Sequence, residues 1–170
     1  MADIFLFKGI KPKRLSSDAI WLELLNALRK EGRIQQRELR KTVSTWRNKP
    51  TFEFVIGIAK DGVRVATGPG GNKDAAQHWV WTNDGTKPHA IVARRAPRLR
   101  FQTGFVPKTR HGQFKSYRGR RFGPWTSPRA VWHPGTEARN WTEILQKRRK
   151  RPFTRAMIKA IQRGARKMAK

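Results

Sequence analysis

Two stretches of this chain share the same kinds of residues, although not in the same order, and they predict where the backbone turns. Residues 79–91 read Trp-Val-Trp-Thr-Asn-Asp-Gly-Thr-Lys-Pro-His-Ala-Ile, and residues 132–141 read Trp-His-Pro-Gly-Thr-Glu-Ala-Arg-Asn-Trp. Each stretch has aromatic residues, a Gly-Thr pair and an adjacent Pro and His. Each predicts a strand that stops at a tight turn, because Gly85 tolerates positive φ and Pro134-Gly135 suits the centre of a type II turn. Two ordinary turns would give the same local pattern.

The charge of the chain restricts its partners. The sequence has 39 Lys and Arg against 11 Asp and Glu, a formal net charge of +28. No acidic residue lies between Asp84 and Glu137, and none follows Glu143. Such a chain repels itself unless an anion neutralises it, and nucleic acid is the commonest polyanionic partner. A solvated basic surface that only maintains solubility is the alternative.

The periodicity of the sequence predicts an α+β fold. Residues 1–15 are predicted to form an N-terminal arm, and residues 16–170 a single α+β domain. A long amphipathic helix is predicted from residue 16 to about residue 47, and a β-hairpin from alternating apolar residues at 52–58 and 63–67. We expect a mainly antiparallel sheet of about four to six short strands, packed by the N-terminal helix and a C-terminal helix.

The middle of the chain is predicted to complete the sheet. The glycine-rich residues 68–73 predict a flexible loop, which lacks the Gly-Lys-Ser/Thr ending of a phosphate-binding loop. A third strand is predicted through residues 79–82. A further hairpin is predicted to pair residues 91–93 with residues 99–101, and residues 130–132 are predicted to form the last strand.

Two basic regions are the candidates for contact with a partner. Residues 102–129 predict a long basic loop in which Lys and Arg alternate with aromatic residues, a pattern typical of segments that follow a nucleic-acid backbone and stack on bases. Clamping of a neighbouring subunit is an equally good interpretation of this loop. The C-terminal basic helix is predicted at about 152–170, after a break at Pro152. The candidate cations are Arg94, Arg95, Arg98, Arg100, Lys108, Arg110, Lys115, Arg118, Arg120, Arg121, Lys147, Arg148, Arg149, Lys150 and Arg151.

Catalytic and metal-binding patterns are weak in this sequence. There is no cysteine, and the four histidines lack metal-ligand spacing, so we expect no enzyme activity, no metal site and no cofactor. His89 and His133 are predicted to fix their turns through hydrogen bonds to the backbone. Asp84 and Glu137 are predicted to cap the backbone that follows them or to bridge to an arginine of an adjacent subunit. No stretch is long and apolar enough for a signal peptide or a membrane span, so no membrane partner is expected.

The paired stretches also resemble a known family. Asp-Gly-Thr-Lys-Pro-His-Ala-Ile at 84–91, a basic region, and Val-Trp-His-Pro-Gly-Thr-Glu-Ala-Arg at 131–139 are similar to the head–tail joining (tail completion) family of long-tailed bacteriophages. That family carries a Gly-Thr…His-x-Ile strand, a basic hairpin and a His-Pro-Gly-Thr-x-Ala-Arg-Pro-Phe segment before a C-terminal helix. The resemblance covers roughly residues 17–170. Asn140-Trp141 stands where the family usually has Pro-Phe, so an aromatic residue is retained there.

The resemblance implies a structural protein of the virion neck, made in the host cytoplasm. Family members form a homo-oligomeric ring between the portal or adaptor and the tail tube or terminator, and genomic DNA passes through the lumen. The motif residues implied to form turns and interface anchors are Trp79, Trp81, Gly85, Thr86, His89, Trp132, His133, Pro134, Gly135, Thr136, Arg139 and Trp141. The alternatives are a stand-alone, sequence-nonspecific nucleic-acid-binding protein and a minor tail or tail-terminator subunit.

Overall fold

The computed structural model describes residues 18–59 and 62–168. The predicted arm at residues 1–15 lies outside the described residues, as do Ser16 and Ser17 at the predicted start of the first helix. The elements in chain order are α1 (Asp18–Thr42), β1 (Thr51–Ala59), β2 (Gly62–Gly70), α2 (Lys73–Asp84), β3 (His89–Val92), β4 (Phe101–Gln102), β5 (Trp125–Thr126), β6 (Ala130–His133) and α3 (Trp141–Met168).

The α+β class and the long N-terminal and C-terminal helices are confirmed. The strands pair antiparallel, in the orders β1–β2, β3–β6 and β4–β5, as three two-stranded sheets rather than one. The chain divides into two compact units. The first, the helical unit, comprises the described residues of 1–40, 51–70 and 142–170. The second, the clasp unit, comprises residues 41–50 and 71–141.

The helical unit is built from α1, the β1–β2 hairpin and α3. Ile20, Leu24 and Leu28 recur every four residues of α1 and are buried, as expected for the apolar stripe of an amphipathic helix. In the hairpin, Phe52 and Val65 are buried. The register of the two strands places Phe54 opposite Thr67. The predicted long helix and first hairpin are therefore present, although α1 ends at Thr42 rather than near residue 47.

The predicted break at Pro152 was wrong, because α3 runs without interruption from Trp141 to Met168. Proline costs the helix one backbone hydrogen bond. Leu145 before it, and Phe153 and Met157 after it, are all buried. A break would take that common apolar face out of register, so burial on both sides of the proline keeps the helix continuous.

Helix α2 replaces the strand predicted at residues 79–82 and the end of the loop predicted at 68–73. Asn72 caps the helix, since its side-chain oxygen accepts a hydrogen bond from the Ala75 N–H at 3.0 Å. Ala75, Trp79 and Asn83 are buried at a spacing of four, which is helical. Strand β2 extends through Gly70, so only Gly71 and Asn72 separate it from α2.

The predicted hairpin of residues 91–93 with residues 99–101 was also wrong. Strand β3 pairs with β6, in the register His89 opposite His133. Strand β4 pairs with β5, in the register Phe101 opposite Thr126. The β4–β5 pair lies within the segment that connects β3 to β6. The chain therefore runs outward through β3 and β4 and back through β5 and β6.

The region predicted as a basic loop at 102–129 is thus partly paired. Val106 and Arg120 form a further antiparallel bridge, and the Tyr117 N–H donates to the Lys108 carbonyl at 2.6 Å. The excursion thus carries its own irregular ladder, which pairs backbone N–H and C=O groups within the chain. We call residues 93–129 the basic excursion. Among the described residues, no helix is long and apolar enough to cross a membrane.

Candidate nucleic-acid interface and subunit contact

The two repeated stretches pair directly with each other. The Thr86 N–H donates to the Thr136 carbonyl at 2.9 Å, and the Thr136 N–H donates to the Thr86 carbonyl at 3.1 Å. The Thr86 hydroxyl oxygen also accepts from the Thr136 N–H at 2.9 Å. We call the paired Gly85-Thr86 and Gly135-Thr136 segments the clasp. The clasp brings together residues that are 50 positions apart in the chain.

Glycine is needed on both sides of the clasp. Gly85 has φ 79° and Gly135 has φ 91°, values that side-chain-bearing residues rarely adopt. A Cβ at Gly85 would lie 2.7 Å from the Thr136 carbonyl oxygen, and one at Gly135 would collide with the Thr86 carbonyl oxygen. The close approach of the two backbones therefore explains why both stretches carry Gly before Thr.

Two histidines stabilise the ends of the clasp, as predicted from their positions. His89 Nδ1 lies 2.8 Å from the Lys87 carbonyl oxygen, which can only accept, so Nδ1 carries the hydrogen. The Gly135 N–H donates to His133 Nδ1 at 3.1 Å, so the hydrogen of that ring is on Nε2 in the neutral form. The two ring centroids are 5.1 Å apart. The imidazoles thus use opposite tautomers to serve the two turns.

The four motif tryptophans divide into two roles. Trp79 and Trp141 are buried, with ring centroids 5.6 Å apart. Their indole N–H groups donate to the Thr42 hydroxyl at 2.9 Å and to a backbone carbonyl at 2.7 Å. Trp81 is 48% exposed and Trp132 71% exposed. The first pair belongs to the core of the clasp unit, and the second pair is available to a partner.

The acidic residues beside the clasp are engaged within the chain. Arg139 is buried and donates to Glu137 at 3.1 Å and to the Thr109 hydroxyl at 3.3 Å. Asp84 accepts from the Asn83 amide at 2.6 Å. The motif arginine therefore anchors residue 109 of the basic excursion to the segment that follows the clasp.

The cations of the basic excursion lie at the surface. All are exposed except Lys108, which is half-buried. In residues 18–59 and 62–168, no ion pair joins them to a carboxylate. Four of them, Arg100, Arg110, Lys115 and Arg121, lie against aromatic rings. Arg100 is 5.3 Å from the Trp125 centroid, and Arg121 is 5.9 Å from that of Phe105. Phosphate oxygens could therefore reach these cations without displacing an acidic neighbour.

The cations of α3 have a different environment. Arg149 donates two hydrogen bonds to the buried Glu31 carboxylate, at 2.9 and 2.7 Å. Arg163 and Lys167 both donate to Glu23, at 2.8 and 2.7 Å. Of the predicted partner-facing residues on α3, Arg149 is thus tied to Glu31, whereas the side chains of Lys147, Arg148, Lys150 and Arg151 are exposed.

Two cavities border the clasp within the clasp unit. One, of about 410 Å³, is lined by Phe105, Lys108, Glu137 and Arg139, among others. The other, of about 340 Å³, is lined by Trp81 and Ile91, among others. Both are also lined by Trp46, Thr82, His133 and Thr136. Together with exposed Trp81, they give the surface beside the clasp a concave, partly aromatic character.

Sequence reasoning missed the residues that dock the excursion. The Ser44 and Ser116 hydroxyls lie 2.8 Å apart, and the Thr45 hydroxyl donates to the Tyr117 carbonyl at 2.8 Å. Trp46, beside them, lines both cavities. The sequence pattern predicts residues 43–47 as the end of a helix, and nothing in it indicates contact with residues about 70 positions later.

In the part of the chain that the structure describes, no group of three or more His, Cys, Asp or Glu side chains could hold a metal ion. No protein-family model, curated protein sequence or solved structure matches this chain.

Proposed function

We propose that this chain is a structural subunit of a bacteriophage neck, forming a homo-oligomeric ring around the DNA channel between the portal or adaptor and the tail. The observation that carries the proposal is the clasp. The residues that carry the sequence resemblance, Gly85-Thr86 and Gly135-Thr136, are backbone partners rather than independent turns. Chance similarity in two separate turns would not require them to meet.

Exposed apolar side chains beside the clasp are the proposed contact between subunits. Trp132 is 71% exposed and Val92 56% exposed, and all four residues of β3 are exposed. Large aromatic side chains contribute most to protein interfaces, and contiguous exposed apolar surface is uncommon on monomers. Neighbouring copies, and the portal, adaptor or tail-tube proteins at each end of the ring, are the proposed partners.

The basic excursion is the proposed DNA-facing surface. Its cations would contact phosphate oxygens in the lumen, so binding should be indifferent to base sequence. Each neutralised phosphate releases condensed counterions, so the affinity should fall steeply as salt is added. The exposed cations of α3, such as Lys147 and Lys150, are a second, separate set of proposed DNA contacts.

Native mass spectrometry tests the ring directly. We expect a single closed oligomer of defined order, either from the purified chain alone or after addition of a portal–adaptor complex. Trp132→Ser should abolish it, whereas Leu22→Ser, which changes a 54% exposed leucine in the helical unit, should not. A chain that stays monomeric in both conditions contradicts the proposal.

A stand-alone, sequence-nonspecific nucleic-acid-binding protein is the second candidate. The cations held against exposed rings favour it, because such pairs are typical of proteins that coat nucleic acid. Such a protein would bind DNA as a monomer at every ratio of protein to DNA, with no ring. A minor tail or tail-terminator subunit would form a ring but would be located with the tail when labelled virions are viewed by electron microscopy.

A further inference from the structure

We propose that the basic excursion binds single-stranded nucleic acid in preference to duplex, by stacking bases on its exposed aromatic rings. This inference goes beyond the proposed function: it rests only on the proposal that the excursion contacts nucleic acid, which the second candidate function shares, and it adds the form of nucleic acid that the exposed rings favour. Three aromatic side chains of the excursion carry the inference: Phe105, Phe122 and Trp125 are 57%, 72% and 61% exposed.

Each ring with a cation beside it matches the two parts of a nucleotide. Arg100 lies 5.3 Å from the Trp125 ring, and Arg121 lies 5.9 Å from the Phe105 ring. A base has a flat apolar face and its phosphate carries a negative charge, so one ring and one guanidinium together can engage one nucleotide. Cations alone would bind any polyanion. The aromatic rings add a preference for a polyanion that carries planar groups, such as the bases of a nucleic acid.

Two of the three rings are attached to or rest on ordered backbone. A Cβ at Gly104 would lie 3.0 Å from the Phe122 ring, so that ring rests on glycine backbone while most of its surface stays exposed. Trp125 lies in β5, where it is paired with Gln102 of β4. Side chains that are already positioned lose less conformational freedom on binding.

The preference for single-stranded nucleic acid follows from which surfaces of a base are accessible. In a duplex, each base face is covered by its stacked neighbours, so an aromatic ring cannot lie on it without unstacking. In a single strand, bases turn outward and can stack on protein rings. A duplex carries about one charge per 1.7 Å of axis, so electrostatics alone would favour duplex of equal length. A preference for the single strand must therefore come from the rings.

The charge of the surface argues for nucleic acid over an apolar protein partner. No acidic residue lies between Asp84 and Glu137, so an occupant of the excursion must bring negative charge along with its apolar faces. An acidic protein segment would also bring charge, and it is an outcome of the test below.

The test compares oligo(dT) and a mixed-sequence duplex, both of about 20 nucleotides in length, by fluorescence anisotropy at about 0.15 M salt, a range in which surface charges are largely screened. We expect the full chain to bind the single strand at least about tenfold more tightly. Trp125→Leu or Phe122→Leu should each weaken oligo(dT) binding about fivefold or more and leave duplex binding nearly unchanged. Trp125→Phe keeps an aromatic face and should retain most of the affinity.

Arg118→Gln is the matched control for charge, because Arg118 is exposed and makes no ring contact within 6 Å among the described residues. It should weaken both forms of DNA alike. Equal or tighter binding of duplex, an unaffected Trp125→Leu variant, or binding only to poly-glutamate would each overturn the inference. A ring that forms normally but prefers duplex would defeat this inference alone, whereas absence of a ring would defeat the proposed function.

Discussion

Three cations of the helical unit are paired with carboxylates, whereas among the described residues the cations of the basic excursion in the clasp unit are not. In the helical unit, Glu31 and Glu23 of α1 meet Arg149, Arg163 and Lys167 of α3 in hydrogen-bonded ion pairs. In the clasp unit, the cations of residues 94–129 lie at the surface, several of them against aromatic rings or backbone carbonyl groups.

The difference separates charge that stabilises the fold from charge that is left for a partner. Ion pairs that also share hydrogen bonds neutralise each other within the molecule, so they contribute little to attraction at a distance. Uncompensated exposed cations create a field that a polyanion can neutralise. We therefore expect substitution of the ion-paired cations of the helical unit, Arg149 above all, to change stability, and substitutions in the basic excursion to change binding.

The largest expected effect comes from breaking the Arg149–Glu31 pair. Glu31 is 2% exposed, so Arg149→Met would leave a buried carboxylate without its partner, at a cost of about 3–5 kcal/mol in the free energy of unfolding. Urea denaturation measures this loss. Arg155→Met, at an exposed position of the same helix, should stay within about 0.5 kcal/mol. Similar losses in the two variants would show that the pair does not hold α1 and α3 together.

A smaller effect is expected from crowding the clasp. Gly85→Ala adds a methyl group 2.7 Å from the Thr136 carbonyl oxygen, on top of the strain of φ 79°. Gly112→Ala is the matched control, because Gly112 has φ 71° but no atom within 4 Å of the added Cβ. Strain alone costs of the order of 1–3 kcal/mol, so thermal unfolding should show Gly85→Ala as clearly the less stable variant. Equal melting temperatures would mean that the two turns do not approach so closely.

The salt dependence of duplex DNA binding sharpens the comparison of the two units. Arg118→Gln should lower the slope of log affinity against log salt by about one, as expected for the loss of one phosphate contact. Arg163→Gln should change the slope much less, because Arg163 is already hydrogen-bonded to Glu23 at 2.8 Å. A larger change for Arg163→Gln would place the main DNA contacts on the helical unit.

The smallest expected effect is the loss of the Glu23 ion pairs' contribution to stability at low pH. Hydrogen bonds from Lys167, and then from Arg163, hold the pKa of the Glu23 carboxyl below its usual value of 4.5. A lowered pKa in the folded state stabilises the fold above pH 4.5, and this contribution is lost as the pH falls through the lower, folded value. The difference in urea midpoint between the native chain and Glu23→Gln should therefore shrink from about pH 6 to about pH 3. A constant difference would argue that these ion pairs do not stabilise the helices.

The sequence predicted the helical unit better than the clasp unit. Helix α1 and the β1–β2 hairpin follow from local periodicity, since Ile20, Leu24 and Leu28 mark a helix face and residues 52–58 alternate. The continuity of α3 through Pro152 was missed because local preference argued for a break, while the buried side chains on both sides of it favour continuity.

The errors in the clasp unit have two physical causes. Trp79-Val80-Trp81 has residues that favour strands, but the buried face of Ala75, Trp79 and Asn83 is helical in period, and that spacing could have been read from the sequence. The pairing of β3 with β6 could not, because it depends on register between residues about 40 positions apart. Similarity between the two Gly-Thr stretches was the only signal in the sequence that they were related, and it did not say that they touch.

Cryo-electron microscopy of the purified chain with a short DNA duplex carrying single-stranded ends tests the central claim most directly. We predict closed rings in which the basic excursion lines a central channel containing DNA density, with Trp132 at the contact between neighbouring copies. Separate monomers distributed along the DNA, or rings in which the basic excursion faces away from the channel, would contradict it.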